Sequence, residues 1–436
     1  MSRVPKITYI GAGSSTFAAR LISDLVVTPG LEAGTMALVD IDPERLELSR
    51  QITEKVIGLS GRDWTVSATT NREEALAGSD YVINSIEVAG LDSVAPDYEI
   101  PLKYGVDQCI GDTIGPGGIF KALRTGPTWL EIVADIQRLA PKAVVMNYTN
   151  PMSILTLAAA RSTDLSVVGL CHSVQSTSRL LAEILTVPYE DLEWQCAGIN
   201  HNAWFTSLGR EGVDLYPRLR QLAREPRVYE EDPVRFEVML HLGAFVTESS
   251  GHFSEYVPYF RKRPELIDKY MRSGYRGESG FYAHNWPTWR LQNATFVRAL
   301  LDGVIEIELT RSHEYASHIV EAIELDREVE IHGNVTNDGW IQNLPAGCVE
   351  VACRVDGRGI QPLNVGALPE QLAALNRSHM AVHELVVQAL LERDREKARL
   401  ALMLDPLTAA VCSLGEISAM FDEMWEAERA HLGAFE

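Results

Sequence analysis

Two short segments place metal-binding side chains where chemistry can occur. Cys171-His172-Ser173-Val174 follows directly on the apolar run Ser166–Leu170, and Gly198-Ile199-Asn200-His201-Asn202 lies about thirty residues further on. A thiolate from Cys171 and an imidazole from His201, brought together at a strand end, would form half of a divalent metal site, with the other positions left to substrate and water. Two protein ligands are too few for a structural site. The alternative on spacing alone is a buried cysteine and an ordinary histidine.

A second cluster follows the run Ala143–Asn147, where Tyr148-Thr149-Asn150-Pro151-Met152 continues the chain. Pro151 suits the first turn of a helix, so Asn150 is either a helix cap or a contact to substrate. A third follows the run Tyr81–Ile86, where Asp107, Gly111-Asp112-Thr113 and Gly115-Pro116-Gly117-Gly118 are read as one long loop that either is merely flexible or faces substrate.

The elements that must carry these residues are legible from the N-terminus. Lys6–Ile10 is a short β-branched run that passes straight into Gly11-Ala12-Gly13-Ser14-Ser15-Thr16 and then a helical pattern from Phe17 to Val27. Glycines at 11 and 13 permit a sharp turn and close approach to a pyrophosphate at a helix start. Thr16 replaces the third glycine of that fingerprint, and a lone Gly-x-Gly is often only a turn. The next run, Met36–Val39, ends in Asp40, an acid suited to ribose hydroxyls and to NAD+ over NADP+, with Arg45 nearby as a counter-argument. Thr65–Ala68, Tyr81–Ile86, Ala143–Asn147 and Ser166–Leu170 repeat the pattern. Six parallel strands with crossover helices predict a Rossmann-like, doubly wound sheet, whose ligands bind at the carboxyl ends of the strands. Gly11, Gly13, Ser14, Ser15, Asp40 and Asn84 are the expected cofactor residues.

The chain has 436 residues, enough for two domains. We expect a dinucleotide domain over 1–197 and an α+β domain over 198–436, with a strand-like Trp340–Val355 and a largely helical last seventy residues. The net charge of −21 argues against nucleic acid. No long uncharged apolar run and no leader pattern interrupts the N-terminal strand, so we expect a cytoplasmic protein with no membrane partner. Six cysteines without a CxxC pair predict neither a zinc ribbon nor a disulfide framework.

These motifs together resemble glycoside hydrolase family 4, whose members dispense with the usual pair of catalytic carboxylates. The resemblance runs through eight ordered blocks: the Gly11 turn with Asp40, Gly115–Gly118, Asn147–Met152, Cys171–Val174, Gly198–His201, Ser254–Tyr259, Asn343–Pro345 with Val349–Val351, and Asp405–Leu407. Thr16 departs from it, as do Asn202 and Ala203, where a bulkier Met is frequent. The resemblance implies a glycosidase that oxidises the sugar at C3 with NAD+, removes the C2 proton, eliminates the leaving group, adds water and returns the hydride. By that resemblance Cys171 and His201 hold a divalent metal, manganese, while Asn150, with Asp112 and Asn147, binds the sugar. Tyr256 is then the base at C2 and His172 the candidate acid, although the aromatics around Tyr256 could simply pack. The second domain would cover the sugar and form a homodimer or homotetramer.

His172-Ser173-Val174 is the version associated with α-galactosidases. Against a neutral sugar stands a basic stretch in an acidic chain: residues 261–290 hold seven Lys/Arg and three Asp/Glu. Arg261, Lys262, Arg263, Arg276 and Arg290, with Trp286 and Trp289, could frame a C6 anion, so a sulfoquinovosidase or an α-hexuronidase is the alternative. A lactate/malate-type dehydrogenase is the rival from another enzyme class, and an NAD-sensing module is the non-enzymatic one.

Overall fold

The computed structural model describes residues 4–14 and 16–435. The first half alternates strand and helix: β1 (Lys6–Ile10), α1 (Thr16–Val27), β2 (Ala33–Val39), α2 (Pro43–Ser60), β3 (Asp63–Thr69), α3 (Arg72–Leu76), β4 (Tyr81–Asn84), α4 (Leu91–Lys103), α5 (Gly115–Leu139), β5 (Val144–Asn147), α6 (Met152–Ser162), β6 (Ser166–Gly169) and α7 (Ser173–Leu185). The six strands pair in parallel in the order β3-β2-β1-β4-β5-β6. This is the doubly wound sheet expected from the sequence, with the order reversing between β1 and β4. Its central strands β1, β4 and β5 are buried on both faces, as helices packed on both sides demand, whereas the edge strand β3 alternates exposed and covered positions.

The second half adds β7 (Glu193–Ile199), β8 (Asn202–Arg210), β9 (Val213–Asp214), β10 (Phe245–Val246), β11 (Val329–Thr336), β12 (Cys348–Asp356) and β13 (Gly359–Pro362). These strands are antiparallel to their neighbours and extend the same sheet as β10-β8-β7-β12-β11-β6, with β9 and β13 beside it. The division expected at 197/198 thus falls inside β7. One row of the sheet crosses four strands: Gly169 opposite Asn334, Asn334 opposite Glu350, and Glu350 opposite Gly198.

Three expectations from the sequence are corrected. Residues 340–347 are a loop with one isolated bridge, Ile341 to Gly366, and only 348–356 forms the strand. The stretch after β4 is not one long loop, since α4 occupies Leu91–Lys103 despite Pro96 and Pro101 within it. Gly115–Gly118 is the first turn of α5. Its glycines allow close packing, because a Cβ on Gly117 would stand 2.3 Å from the Gly111 carbonyl oxygen and one on Gly118 2.4 Å from the Thr113 carbonyl carbon. All six cysteines are buried and free. Among the described residues, no helix is long and apolar enough to cross a membrane.

The basic segment is also divided by the fold. Arg261 is fully buried, paired with Asp107 and bonded to Ser254 Oγ at 2.6 Å and to the Gly277 carbonyl at 2.7 Å. Arg276 pairs with Glu231, Arg290 borders the crevice beside β1, and Trp289 packs on Tyr275 and Phe281. These side chains do not converge on one anion site. Removing one partner of a buried pair strands the other, so Arg261→Met should cost about 3–5 kcal/mol of stability. Urea unfolding checks this, with exposed Lys262→Met as the control expected to match wild type.

Candidate active site

The crevice at the β1/β4 switch point is lined by Gly11, Ser14, Asp40, Asp42, Ser85, Ile86 and Glu87, among others. Gly11 closes it tightly. Its φ is +83°, and a Cβ there would lie 2.6 Å from the Ser85 carbonyl oxygen, so only glycine fits. Asp40, one residue past β2, accepts from Gly13 N at 2.7 Å and from Asp42 N at 2.9 Å, which ties the glycine turn to the strand end. Ser14 Oγ lies 3.4 Å from Ser85 Oγ. Ser15 lies outside the described residues. Asn84 is fully buried, donates to Asn147 Oδ1 at 2.8 Å and Thr149 Oγ1 at 3.2 Å, and leaves its own Oδ1 without a partner among the described residues. The glycine turn, the acid after β2 and the bare acceptor on Asn84 fit a dinucleotide laid across the strand ends.

Beyond the carboxyl end of β6, Cys171 Sγ stands 3.4 Å from His201 Nε2. The ring arrives there on a two-residue turn between β7 and β8, where His201 adopts φ +62°. That conformation is uncommon for a side-chain-bearing residue and costs of order 1 kcal/mol. His201 Nδ1 lies 3.3 Å from His252 Nε2, and Nε2 lies 3.5 Å from Glu248 Oε2. Burial alone would lower the His201 pKa, but Glu248, Cys171 and Asp112 overcome it and raise the ring to about 10. Glu248, half-buried, is in turn held below its usual range by His201 and His252, which outweigh its desolvation. Asn200 and Asn202 flank the histidine with both amide atoms buried and unpartnered among the described residues. A soft thiolate and an imidazole, with unspent polar groups beside them, fit a divalent cation whose open positions take substrate. Among the described residues no group of three His, Cys, Asp or Glu forms a ready-made cage.

Asn150 does not cap α6. The cap position is Pro151, without a side-chain bond, and Asn150 Nδ2 instead donates to Asp112 Oδ2 at 3.2 Å. Burial alone would raise Asp112, but Lys121 foremost, then His252, Thr113 and His201, carry its carboxyl well below the usual range. Asn147 is fully buried and spent on Asn84, on the Thr149 carbonyl at 3.0 Å and on Met152 Sδ, so its side chain acts within the strand ends.

Tyr256 ends the helix Ser250–Tyr256, 1% exposed, its ring centroid 5.5 Å from that of His252 and 6.4 Å from that of His201. Burial raises its phenol well above the usual value, and Glu248, Asp112, Glu255 and Cys171 push the same way. His172 is 68% exposed at the start of α7, with Nδ1 3.8 Å from Glu314 Oε1, and opens to a cleft it shares with Arg20, Arg179 and Ser312. It sits next to Cys171 in sequence but faces outward.

The structure therefore gathers Cys171, His201, Tyr256, Asp112 and Asn150 around one centre, beside the crevice that holds Gly11, Gly13, Ser14 and Asp40. It adds Glu248, His252, Lys121 and Glu350, which the motifs did not single out. His252 was within reach, because it stands four residues before Tyr256, one helical turn away on the same face. Glu350 carried a weaker sign, an acid inside the apolar strand Cys348–Asp356. It is fully buried, and desolvation lifts its carboxyl to about 7.

The chain is similar along its length to known proteins. The model described as "Family 4 glycosyl hydrolase" matches residues 6–187, and that described as "Family 4 glycosyl hydrolase C-terminal domain" matches residues 196–408. An α-galactosidase of Bacillus subtilis (strain 168) is 40% identical over 437 residues, covering 97% of this chain and 98% of that protein. An α-galacturonidase of the same strain is 31% identical over 429 residues, 92% of this chain and 93% of that protein. Among solved structures, the 6-phospho-β-glucosidase of Thermotoga maritima with manganese, NAD+ and glucose-6-phosphate superposes with a TM-score of 0.80 at 23% identity, covering 98% of both chains. With both family models aligned along the sheet just described, the chain belongs to the family 4 glycosyl hydrolases and is a glycosidase.

Proposed function

We propose that this chain hydrolyses α-galactosides by transient oxidation of the sugar, with NAD+ in the β1/β4 crevice and Mn2+ at Cys171 and His201. The observation that carries the reading is the 3.4 Å approach of Cys171 to His201 at a strand end beside a dinucleotide-shaped crevice. When bound, NAD+ would supply a reversible hydride acceptor, and Mn2+, held by Cys171 and His201, would supply stabilisation of the negative charge that develops on the sugar. The protein's own groups do the rest. Gly11, Gly13, Ser14, Asp40 and Asn84 seat the dinucleotide, Asp112 orients Asn150 toward the sugar hydroxyls, and Asn147 holds the strand ends in register. Tyr256 takes the C2 proton, and His172 delivers a proton to the departing oxygen from the solvent side. A neutral galactoside is favoured by the relative at 40% identity and by the pairing of Arg261 and Arg276 with protein carboxylates.

A second reading, an α-hexuronide such as an α-galacturonide, rests on the α-galacturonidase relative. The dehydrogenase alternative gives way to the family match, and the NAD-sensing module gives way with it. Exposed Leu291, Phe296, Val304 and Ile305, on and just after the helix Phe281–Leu301, support a homodimer or homotetramer. The test is hydrolysis of p-nitrophenyl α-galactoside, α-galacturonide, α-glucuronide and α-sulfoquinovoside with and without NAD+ and Mn2+. Release that requires NAD+ without NADH build-up is expected, because the hydride returns each cycle. NADH accumulating in step with product would sink the mechanism.

Asp40→Ala should weaken NAD+ binding more than it lowers turnover at saturating cofactor, since the ribose contact is remote from C3. The loss also frees Gly13 N and Asp42 N. Calorimetric titration with NAD+ checks this, and an unchanged affinity would remove Asp40 from the site.

A further inference from the structure

Lys121 lies on α5, in the wall between the cofactor crevice and the sugar side. Its side chain is 7% exposed, and Nζ stands 3.0 Å from Glu87 Oε2 and 3.6 Å from Asp112 Oδ2. The two carboxylates look in different directions. Glu87, three residues past β4, lines the crevice together with Gly11 and Asp40. Asp112 does not line that crevice; it borders a small cavity with Tyr282 and Trp286, and its Oδ2 accepts from Asn150. One buried ammonium therefore serves an acid facing one ligand and an acid facing the other, and the sharing is uneven. Glu87 is within hydrogen-bond range, whereas Asp112 is just beyond it.

We propose that Lys121 is a positioning residue that makes dinucleotide binding and sugar-side geometry interdependent. The inference rests on the reading of the crevice as a dinucleotide site. A ribose hydroxyl that donates to Glu87 competes with Lys121 for the same carboxylate oxygens. The ammonium, loosened from Glu87, closes the remaining distance to Asp112 and fixes the carboxylate that orients Asn150. Cofactor binding thus prepares the sugar subsite, and linkage requires the reverse: a change at Asp112 must be felt by the cofactor, although Asp112 does not reach the crevice.

The test is a double-mutant cycle read by NAD+ affinity alone, measured by calorimetric titration without sugar. Asp112→Asn leaves Lys121 wholly to Glu87, so NAD+ should bind about five-fold more weakly or worse, the lower end of ordinary coupling. In a Lys121→Met background the same Asp112→Asn change should alter the affinity less than about two-fold, the range of independent sites. Lys121→Arg should restore most of the coupling. Glu87→Gln supplies a second background that should abolish it, should Lys121→Met not fold. An Asp112→Asn effect equal in all backgrounds, or none in the wild type, overturns the role of Lys121. Failure of the wild-type protein to bind NAD+ at all would instead overturn the dinucleotide reading.

Discussion

Replacing Cys171 by Ser or His201 by Ala is expected to lower turnover by about three orders of magnitude or more, together with loss of bound Mn2+. A bound cation would supply several kcal/mol to a negatively charged transition state, and each 1.36 kcal/mol is about a factor of ten in rate. Their side chains meet at 3.4 Å just past the strand ends, and neither residue takes part in the ladder pairings of the strands that carry them. NAD+ affinity should therefore stay within about two-fold of wild type, because the crevice residues are separate from the pair. Metal content by atomic emission and NAD+ titration on the same samples check both halves. Metal retained in full by both variants would remove the pair from the site.

Tyr256→Phe should keep NAD+ and sugar binding and lose about 100- to 10,000-fold in turnover, the span of a positioned general base. The change deletes one oxygen from a ring that is otherwise packed against His252, His379 and Phe253, so the helix has no reason to shift. Oxidation at C3 does not need this base, so the variant should still reduce bound NAD+ in a single turnover. Exchange of the C2 deuterium with solvent should fall with turnover. The pH dependence carries a sign as well. Burial and four neighbouring acidic groups hold the phenol above its ordinary value, and below its pKa the phenolate fraction grows tenfold with each pH unit. Wild-type turnover should rise with pH on that limb, and Tyr256→Phe should lose the rise. Undiminished C2 exchange in the variant would assign the base elsewhere, with His172 the first candidate.

The half of the molecule that was legible in advance is the half where local pattern and tertiary position agree. β1 to β6 are short β-branched runs closed by turn residues, and their pairing follows the connection rules of parallel sheets. Cys171 and His201 were visible because their residue types are scarce and each follows an apolar run. What stayed hidden was set by packing instead. Pro96 and Pro101 disguised α4, and the glycines of Gly115–Gly118, read as a loop, serve contact with residues 111 and 113 in the first turn of α5. Lys121 and Glu248 carry no spacing signature, since Glu87 and His201, which they meet, come from distant segments. Arg261 and Arg276 are close in sequence to Arg290 but are drawn to Asp107 and Glu231, so charge density along the chain did not translate into charge density in space.

The interleaving of the sheet has a consequence for how the protein matures. β6 and β7 follow each other in the chain, yet β11 and β12, drawn from residues 329–356, lie between them. At about 4.8 Å per strand, this insertion sets the strands that lead to Cys171 and His201 roughly 14 Å apart at the level of the ladder, and the two turns then lean back over Asn334 and Glu350 to meet. A nascent chain that ends before residue 348 holds both proposed ligands but lacks the strand Cys348–Asp356 that lies between β11 and β7. Metal competence would therefore arrive late in synthesis, as a mark of a completed sheet rather than of a folded N-terminal half, and a truncated or stalled chain would leave the ribosome without a redox-active sugar site.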